Sequence, residues 1–174
     1  IWTAAIQILK IFKANIFTTV GNEFKKNICE ELGANVVINY NKDDFFKVIK
    51  ERTAKKGINL ILDMVGGCYV QKNIDLLSNE GKLINIAYQT GSKIHLNLMK
   101  VMLKRLVITG STLRIRDEDF KGDILTKVEM NVFPKIKSGL IKPIIDSVYD
   151  LNDVIKAHKR LYENKHIGKI VLSV

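Results

Sequence analysis

The chain has 174 residues, 47% of them hydrophobic, and a formal net charge of +10 from 28 Lys and Arg against 18 Asp and Glu. This length and apolar content predict one globular domain with its own core and exclude a disordered chain. A membrane-spanning helix needs roughly 18 consecutive apolar residues, and no run in the sequence approaches that length.

Helical and strand-like patterns alternate along the chain from its first residues onward. Asn22 and Gly33 are the predicted N-cap and the predicted stop of the second helix. The predicted strands are 15–20, 35–40, 58–65, 81–88, 107–113, 146–149 and 168–174. The predicted helices are 3–14, 22–32, 42–56, 68–77, 96–106, 120–136 with a kink at Pro134, and 151–163.

Strands that alternate with helices at this interval form βαβ units, so the sequence predicts an α/β fold with a doubly wound parallel sheet. The apolar run 58–65 is typical of a strand covered on both faces. In such sheets ligands bind beyond the carboxyl ends of the strands. The residues at those positions are Gly21 to Lys25, Asn39 and Tyr40, Gly66 and Gly67, Ala87 to Gln89, and Ser111 to Arg114.

The segment after strand 15–20 is neutral at its tip and basic just beyond it. Folds that hold NAD usually carry Asp or Glu at such a tip, where the carboxylate accepts hydrogen bonds from the ribose. Here the tip is Gly21-Asn22. Lys25 and Lys26 follow in the first helical turn, where the dipole disfavours a cation by about 0.3–1 kcal/mol unless a phosphate binds there. Lys25 is therefore a candidate phosphate ligand. The alternatives are that both lysines point into water, or that Glu23 binds the ribose.

Two other strand ends carry candidate ligand-binding residues. Tyr40 could stack on an adenine ring or reach a phosphate with its hydroxyl, although many tyrosines at strand ends do neither. Gly66 and Gly67 follow a strand and allow either a close backbone approach to a ligand or merely a tight turn.

The histidines, cysteines and basic residues do not predict a site. His158 is expected in the core or at its boundary, and His95 and His166 lack a nucleophile setting. No cluster has metal-ligand spacing, so we predict no metal site and no catalytic residue. Cys29 and Cys68 are expected to be buried thiols in a reducing cytoplasm. The lysines are dispersed, which favours a solvated basic surface over a nucleic-acid site.

Five segments occur in an order and at intervals that resemble a known family: "TAAIQ", "ELGANVVINY", "LDMVGG", "VITGSTLR" and "HIGKIVL". The chain is similar over essentially all of its length to the zeta-crystallin-like quinone oxidoreductases of the medium-chain dehydrogenase/reductase superfamily. Its likeness is to the bacterial NADPH:quinone reductase branch. The resemblance implies zinc-independent hydride transfer from NADPH to a quinone or conjugated enone.

The resemblance also implies a domain organisation. Residues 1–174 correspond to an NADP-binding Rossmann domain, truncated at its first strand, with a return segment from about 140 to 174. The GroES-like substrate domain of the family is absent. Family members commonly form homodimers by pairing the strand that runs here from Leu106 to Ser111.

Residue by residue, the resemblance implies cofactor-binding roles for the strand ends. Gly21, Asn22 and Lys25 match the 2′-phosphate site, with Asn in place of the family Ser, and Tyr40 matches the Tyr near the adenosine phosphate. Other positions match loops near the nicotinamide or the glycine turn. The implied cofactor-binding residues are Thr3, Gly21, Asn22, Lys25, Tyr40, Gly66, Ala87, Tyr88, Gln89, Ser111, Thr112 and Leu113.

One departure limits the function that we expect of this chain alone. Trp2 stands where relatives carry a Gly that lets the backbone approach the pyrophosphate. We therefore expect little or no reductase activity from the 174 residues by themselves. The alternatives are a catalytically inactive remnant, a half-enzyme that needs a separate substrate domain, or RNA binding through the basic surface.

Overall fold

The structure is a computed structural model that describes residues 2–174, and it has an α/β architecture. Strands and helices alternate along most of the described range, as the sequence predicts. The strands are β1 (Phe17–Val20), β2 (Val36–Asn39), β3 (Ile58–Asp63), β4 (Leu77–Asn85), β5 (Val107–Gly110), β6 (Ile145–Asp150) and β7 (Lys169–Ser173). The helices are α1 (Trp2–Ile11), α2 (Glu23–Leu32), α3 (Phe45–Arg52), α4 (Tyr69–Leu76), α5 (Met99–Leu103), α6 (Glu118–Asn131), α7 (Phe133–Lys137) and α8 (Val154–Tyr162).

Every strand pairing recorded for the described residues is parallel. The strands form one sheet in the order β1-β2, a second in the order β3-β4-β5 and a third in the order β6-β7. Neighbouring parallel strands place their carboxyl ends at the same edge. The register pairs Val20 with Asn39, and Asp63 with Asn85. Residues that follow β1 and β2 therefore meet, as do residues that follow β3 and β4.

The chain divides into two compact units, each with its own core. The first contains residues up to Asn41 together with Gly122–Val174, and the second contains Lys42–Lys121. The core of the first unit consists of Ile6, Ile16, Val20, Cys29, Ala34 and Val37. The core of the second unit consists of Val70, Ile74, Leu77, Leu83 and Leu106. Each core lies where amphipathic helices cover a parallel pair or triplet of strands.

The predicted caps of α2 are confirmed. The Asn22 side chain accepts a hydrogen bond from the Lys25 backbone N–H at 2.8 Å. Gly33 ends the helix with φ +111°, a left-handed conformation that a side chain would strain. Asp44 caps α3 in the same way as Asn22 caps α2, by accepting from the Phe46 N–H at 3.0 Å. These signals are local, so the sequence is sufficient to place them.

The predicted helix 120–136 is two helices instead of one kinked helix. The first, α6, ends at Asn131, and α7 begins at Phe133 with Pro134 in its first turn. Proline lacks the N–H that would continue the hydrogen-bond ladder, and its ring clashes with the preceding turn. Here that loss breaks the helix at Val132.

Three predictions about burial are wrong. β3 is not covered on both faces, because Leu60 remains 51% exposed. Cys29 is buried as expected, but Cys68 is exposed. His158 is exposed, and the buried residue of α8 is its neighbour Ala157. Leucine and cysteine favour burial and histidine is intermediate, but the elements that pack around each position decide its exposure.

Within residues 2–174, no helix has the length and apolar character that crossing a membrane requires.

Candidate functional site

The ends of β1 and β2 bring together four of the predicted site residues. The Tyr40 N–H donates to the Val20 carbonyl at 3.0 Å, which continues the pairing of the strands to their tips. The Asn41 side chain donates to the Gly21 carbonyl at 2.7 Å. Gly21, Asn22, Lys25 and Tyr40 thus form one group, which we call the strand-tip cluster.

Gly21 and Tyr40 are in close contact within this cluster. A Cβ added to Gly21 would lie 2.7 Å from the Tyr40 hydroxyl oxygen and 3.2 Å from the ring carbon that carries it. Any side chain at position 21 would therefore displace the tyrosine or the strand tip. Tyr40 is 45% exposed, so one part of the ring is available to a ligand. The structure supports a steric reason for glycine at this position.

Lys25 extends from the first turn of α2 to the loop that follows α8. Its ammonium donates to the Asn164 backbone carbonyl at 2.6 Å and to the Asn164 side-chain oxygen at 3.0 Å. In the alternative in which both lysines point into water, the Lys25 ammonium would lack these two contacts. Both acceptors are neutral oxygens, so the positive charge is held in place without being neutralised.

Glu23, the alternative ribose ligand, lies against the tip of β2. One of its carboxylate oxygens accepts a hydrogen bond from the Asn39 side chain at 2.8 Å, and Asn39 is buried. This contact draws the carboxylate towards the β2 tip.

In the second unit, a glycine turn packs against the loop that follows β4. Gly66 and Gly67 both have positive φ, at 71° and 55°. The buried Asp63 carboxylate accepts from the Val65 N–H at 2.8 Å and from the Gly66 N–H at 3.3 Å. A Cβ on Gly66 would lie 2.7 Å from a ring carbon of Tyr88. The two glycines therefore form a tight turn that has no room for a side chain at either position.

The loops after β4 and β5 contain the other predicted residues of the second unit. The Gln89 N–H donates to the Met64 carbonyl at 3.1 Å, which joins Ala87 to Gln89 with the glycine turn. The Ser111 N–H donates to the Asn85 carbonyl at 3.0 Å. Tyr88 is 47% exposed and Leu113 is 54% exposed, and Thr112 is exposed too. These side chains are open to a ligand at the carboxyl edge of the β3-β4-β5 sheet.

Thr3 belongs to the first unit. It is in the first turn of α1, where its carbonyl accepts from the Gln7 side chain at 2.9 Å. Trp2 precedes it with its side chain 38% exposed. The Gln7 amide nitrogen also donates to the Lys142 carbonyl at 3.0 Å, and its amide oxygen accepts from the Lys142 N–H at 2.8 Å, which fixes α1 to the return segment.

Sequence reasoning missed Asp63 and Asn164. A local signal existed for Asp63, because an aspartate commonly accepts from the N–H two residues further on. For Asn164 there is only its left-handed backbone, φ 53°, which asparagine tolerates. Its contact with Lys25 joins positions 139 apart in the sequence, and no local pattern reports such a pair.

The loop that presents Asn164 is anchored by a buried carboxylate. Asp146 on β6 accepts from the Arg160 guanidinium at 3.0 and 3.1 Å, from the Ile167 N–H at 2.9 Å and from the Ser147 hydroxyl at 3.0 Å. Its side chain is only 8% exposed. The hydrogen bond from Arg160 is the largest cause that lowers the pKa of Asp146 to about 2. The same pairing raises the pKa of Arg160.

Metal-binding geometry is absent from residues 2–174. They contain no group of three or more His, Cys, Asp or Glu side chains that could hold a metal ion. A cleft of about 490 Å³ in the second unit contains Asp75 and His95, but there Lys100 pairs with Asp75 at 2.7 Å. None of the predicted site residues lines this cleft.

The parallel strands, their intervening helices and the glycines at the strand tips define an α/β protein of the Rossmann-like class. Residues 3–129 match the model of the zinc-binding dehydrogenase family. The chain belongs to that family. The donor set for a zinc ion is nevertheless missing from the described residues.

Individual relatives agree with this assignment. The quinone oxidoreductase of Homo sapiens is 28% identical over 170 residues, which are 97% of this chain and 50% of the human protein. The Escherichia coli quinone oxidoreductase complexed with NADPH superposes with a TM-score of 0.83 at 28% identity, over 99% of this chain and 53% of that one. An NAD-dependent alcohol dehydrogenase superposes with a TM-score of 0.82 at 29% identity, over 99% of this chain and 47% of that one.

The chain spans about half the length of these relatives. The resemblance to quinone oxidoreductases that the sequence motifs predict is confirmed, and the shared half is the cofactor-domain portion.

Proposed function

We propose that this chain is the cofactor-binding portion of an NADPH-dependent oxidoreductase that reduces a quinone or a conjugated enone. The observation that carries the proposal is the strand-tip cluster. Its tip, Gly21-Asn22, is neutral, and the Lys25 ammonium is fixed nearby by two uncharged oxygens. A site of this charge suits the extra phosphate of NADPH better than the bare ribose of NADH.

The electrostatics of α2 favour an anion at the same place. Backbone N–H groups at a helix N-terminus attract phosphate, and the dipole adds to that attraction. Among residues 2–174, no carboxylate forms an ion pair with Lys25. The lysine charge is therefore available to a bound phosphate.

The other predicted residues are assigned in the same proposal. Tyr40 binds beside the adenosine phosphate, and Thr3 lies towards the pyrophosphate. Gly66 lacks a side chain and so allows the backbone to approach the cofactor closely. The residues proposed near the nicotinamide are Ala87, Tyr88, Gln89, Ser111, Thr112 and Leu113. NADPH supplies the hydride, and the protein binds and orients it.

The proposed organisation follows the family. Residues 1–174 act as the Rossmann domain, with 140–174 as its return segment, and a GroES-like domain completes the substrate site. Human quinone oxidoreductase, half of which this chain covers, supports a quinone-type substrate. Free cysteines at positions 29 and 68 suit a reducing compartment, and we place the activity in the cytoplasm.

We also propose a homodimer through the strand from Leu106 to Ser111. All four residues of β5 are exposed, including Val107 at 44% and Ile108 at 38%. Within the described residues, β5 pairs only with β4, so its other edge presents unpaired backbone groups. An identical strand related by a two-fold axis would satisfy the backbone groups of that edge.

Titration of the chain with NADPH and NADH, followed by nucleotide fluorescence, tests the proposal. Lys25→Ala should lower the affinity for NADPH by about 10-fold or more, because an ion-paired hydrogen bond is lost. It should change the affinity for NADH by less than about 2-fold. Lys26→Ala is the matched control, since it removes an equal charge one residue away. The proposal would be contradicted if Lys25→Ala weakened the binding of NADPH and NADH equally. It would also be contradicted if Lys25→Ala and Lys26→Ala weakened NADPH binding equally.

A further inference from the structure

Asn164 is well placed to control the position of Lys25. It lies just after α8, and both of its oxygens accept hydrogen bonds from the same ammonium. A lysine side chain has high rotamer entropy and seldom keeps one geometry without such contacts. Two acceptors from one residue restrict the ammonium to one place near the N-terminus of α2.

The asparagine does this without reducing the charge. An Asp or Glu at position 164 would form an ion pair with Lys25 and would repel a phosphate. A neutral amide holds the lysine and leaves the full positive charge for a ligand. The ammonium has three N–H donors, and two of them bond to Asn164.

Asn164 also has donors of its own. Its side-chain oxygen is used by Lys25, so its amide nitrogen carries two N–H groups on the other branch of the same side chain. Among residues 2–174 that nitrogen has no hydrogen-bond partner. Asn22 has the same arrangement, since its oxygen caps the Lys25 N–H and its amide nitrogen has no partner in the described part of the chain.

Backbone hydrogen bonds hold the chain on both sides of Asn164. Its N–H donates to the Leu161 carbonyl at 3.1 Å, and its φ of 53° is a conformation that favours Asn or Gly. Three residues later, the Ile167 N–H is held by the buried Asp146 carboxylate at 2.9 Å. The loop is thus anchored on both sides of Asn164, and the side chain is exposed between the anchors.

We infer that Asn164 is a positioning and specificity residue for the adenosine 2′-phosphate: it holds the Lys25 ammonium and donates a second hydrogen bond to the phosphate through its amide. This inference rests on the proposed function, in which Lys25 binds that phosphate. It adds a residue from the return segment to a site otherwise built from the β1 and β2 tips.

Two substitutions separate the roles of Asn164. Asn164→Asp keeps the oxygen that accepts from Lys25, but it replaces the amide donor with a negative charge. Asn164→Gly keeps the left-handed backbone and the carbonyl contact, but it removes the side-chain acceptor and donor. Lys165→Ala is the control, because its ammonium pairs only with Glu163 within the described residues.

The dissociation constants of NADPH and NADH are measured for the 174-residue chain and each variant. Asn164→Gly should lower the affinity for NADPH about 5-fold, which is the effect of one hydrogen bond. Asn164→Asp should lower that affinity more than about 10-fold. The affinity for NADH should change by less than about 2-fold in both variants. The loss of NADPH affinity in Asn164→Asp should decrease with added salt. A merely structural role would weaken both nucleotides alike and leave their ratio unchanged.

The outcomes separate this inference from the proposed function. If Lys25→Ala lowers the NADPH preference and both Asn164 variants leave it unchanged, the inference is overturned and the proposed function stands. If Lys25→Ala leaves the preference unchanged, or if the unsubstituted chain binds neither nucleotide, both are overturned.

Discussion

At the scale of single residues, the site depends on small steric and electrostatic details. Glycine at position 21 leaves room for the Tyr40 hydroxyl, and an uncharged asparagine holds Lys25. Neither residue performs chemistry. Each shapes the volume and the charge that a bound nucleotide would meet.

The contact between Gly21 and Tyr40 predicts a coupled pair of substitutions. Gly21→Ala should destabilise the chain by no more than about 1 kcal/mol, because the new methyl group overlaps the tyrosine hydroxyl, and the half-exposed tyrosine must move aside. Tyr40→Phe removes that oxygen, so the double variant should recover part of the loss. Chemical unfolding of the single and double variants measures the coupling.

Gly122→Ala is a comparison without steric overlap, since a Cβ there has no neighbour within 4 Å, and it should stabilise α6 by up to about 1 kcal/mol because Ala is the better helix former. Strict additivity of Gly21→Ala and Tyr40→Phe would show that the predicted overlap is not what makes glycine necessary.

At the scale of elements, the Asp146 contacts fix the end of α8 and the loop beyond it onto β6. Four hydrogen bonds converge on this carboxylate, and its pKa falls from 3.8 to about 2. A carboxyl group with a lowered folded-state pKa stabilises the fold above its unfolded pKa. That contribution is present above about pH 4 and is lost as the pH falls towards 2.

Asp146→Asn should therefore reduce the free energy of unfolding by about 1–3 kcal/mol at pH 7, because hydrogen bonds to a charged group are lost or weakened. The difference from the unsubstituted chain should narrow between pH 4 and pH 2, as the native carboxylate becomes protonated. Urea unfolding at a series of pH values measures this. Asp43→Asn, which removes the same charge at an exposed position, is the matched control.

Sequence patterns predict the elements better than they predict how those elements are covered. The caps at Asn22 and Gly33 were predictable, because each needs only its own helix terminus. The exposure of Leu60 was not, since it depends on what packs against β3. The break at Val132 was half predicted: Pro134 indicates a disturbance, but its extent depends on how the flanking segments pack.

The same distinction holds in the candidate site. Gly21, Asn22, Lys25 and Tyr40 lie at the ends of adjacent parallel strands, so a strand pattern is enough to group them. Asn164 comes from a loop far along the chain, and only the folded structure brings it to Lys25.

At the scale of the whole molecule, the chain carries half of a known architecture and a strong positive charge. Its exposed β5 edge is apolar, which is the kind of surface that proteins pair or protect. The proposed dimer accounts for that edge.

Ile108→Lys should shift the chain from dimer to monomer, because a charge on the paired face must be desolvated and would oppose its symmetry mate. Leu125→Lys, at a residue of α6 that is 67% exposed, is the matched control. Sedimentation equilibrium of both variants measures the effect. A monomeric unsubstituted chain, or equal dissociation by both changes, would argue against the β5 interface.

The proposed function depends on the strand-tip cluster binding the phosphate that distinguishes NADPH from NADH. Calorimetric titration of the unsubstituted chain with adenosine 2′,5′-bisphosphate and with 5′-AMP tests it most directly, since the two ligands differ only in the 2′-phosphate. We expect the bisphosphate to bind at least about 10-fold more tightly, a difference that decreases with added salt. Equal affinity for the two ligands would contradict the claim.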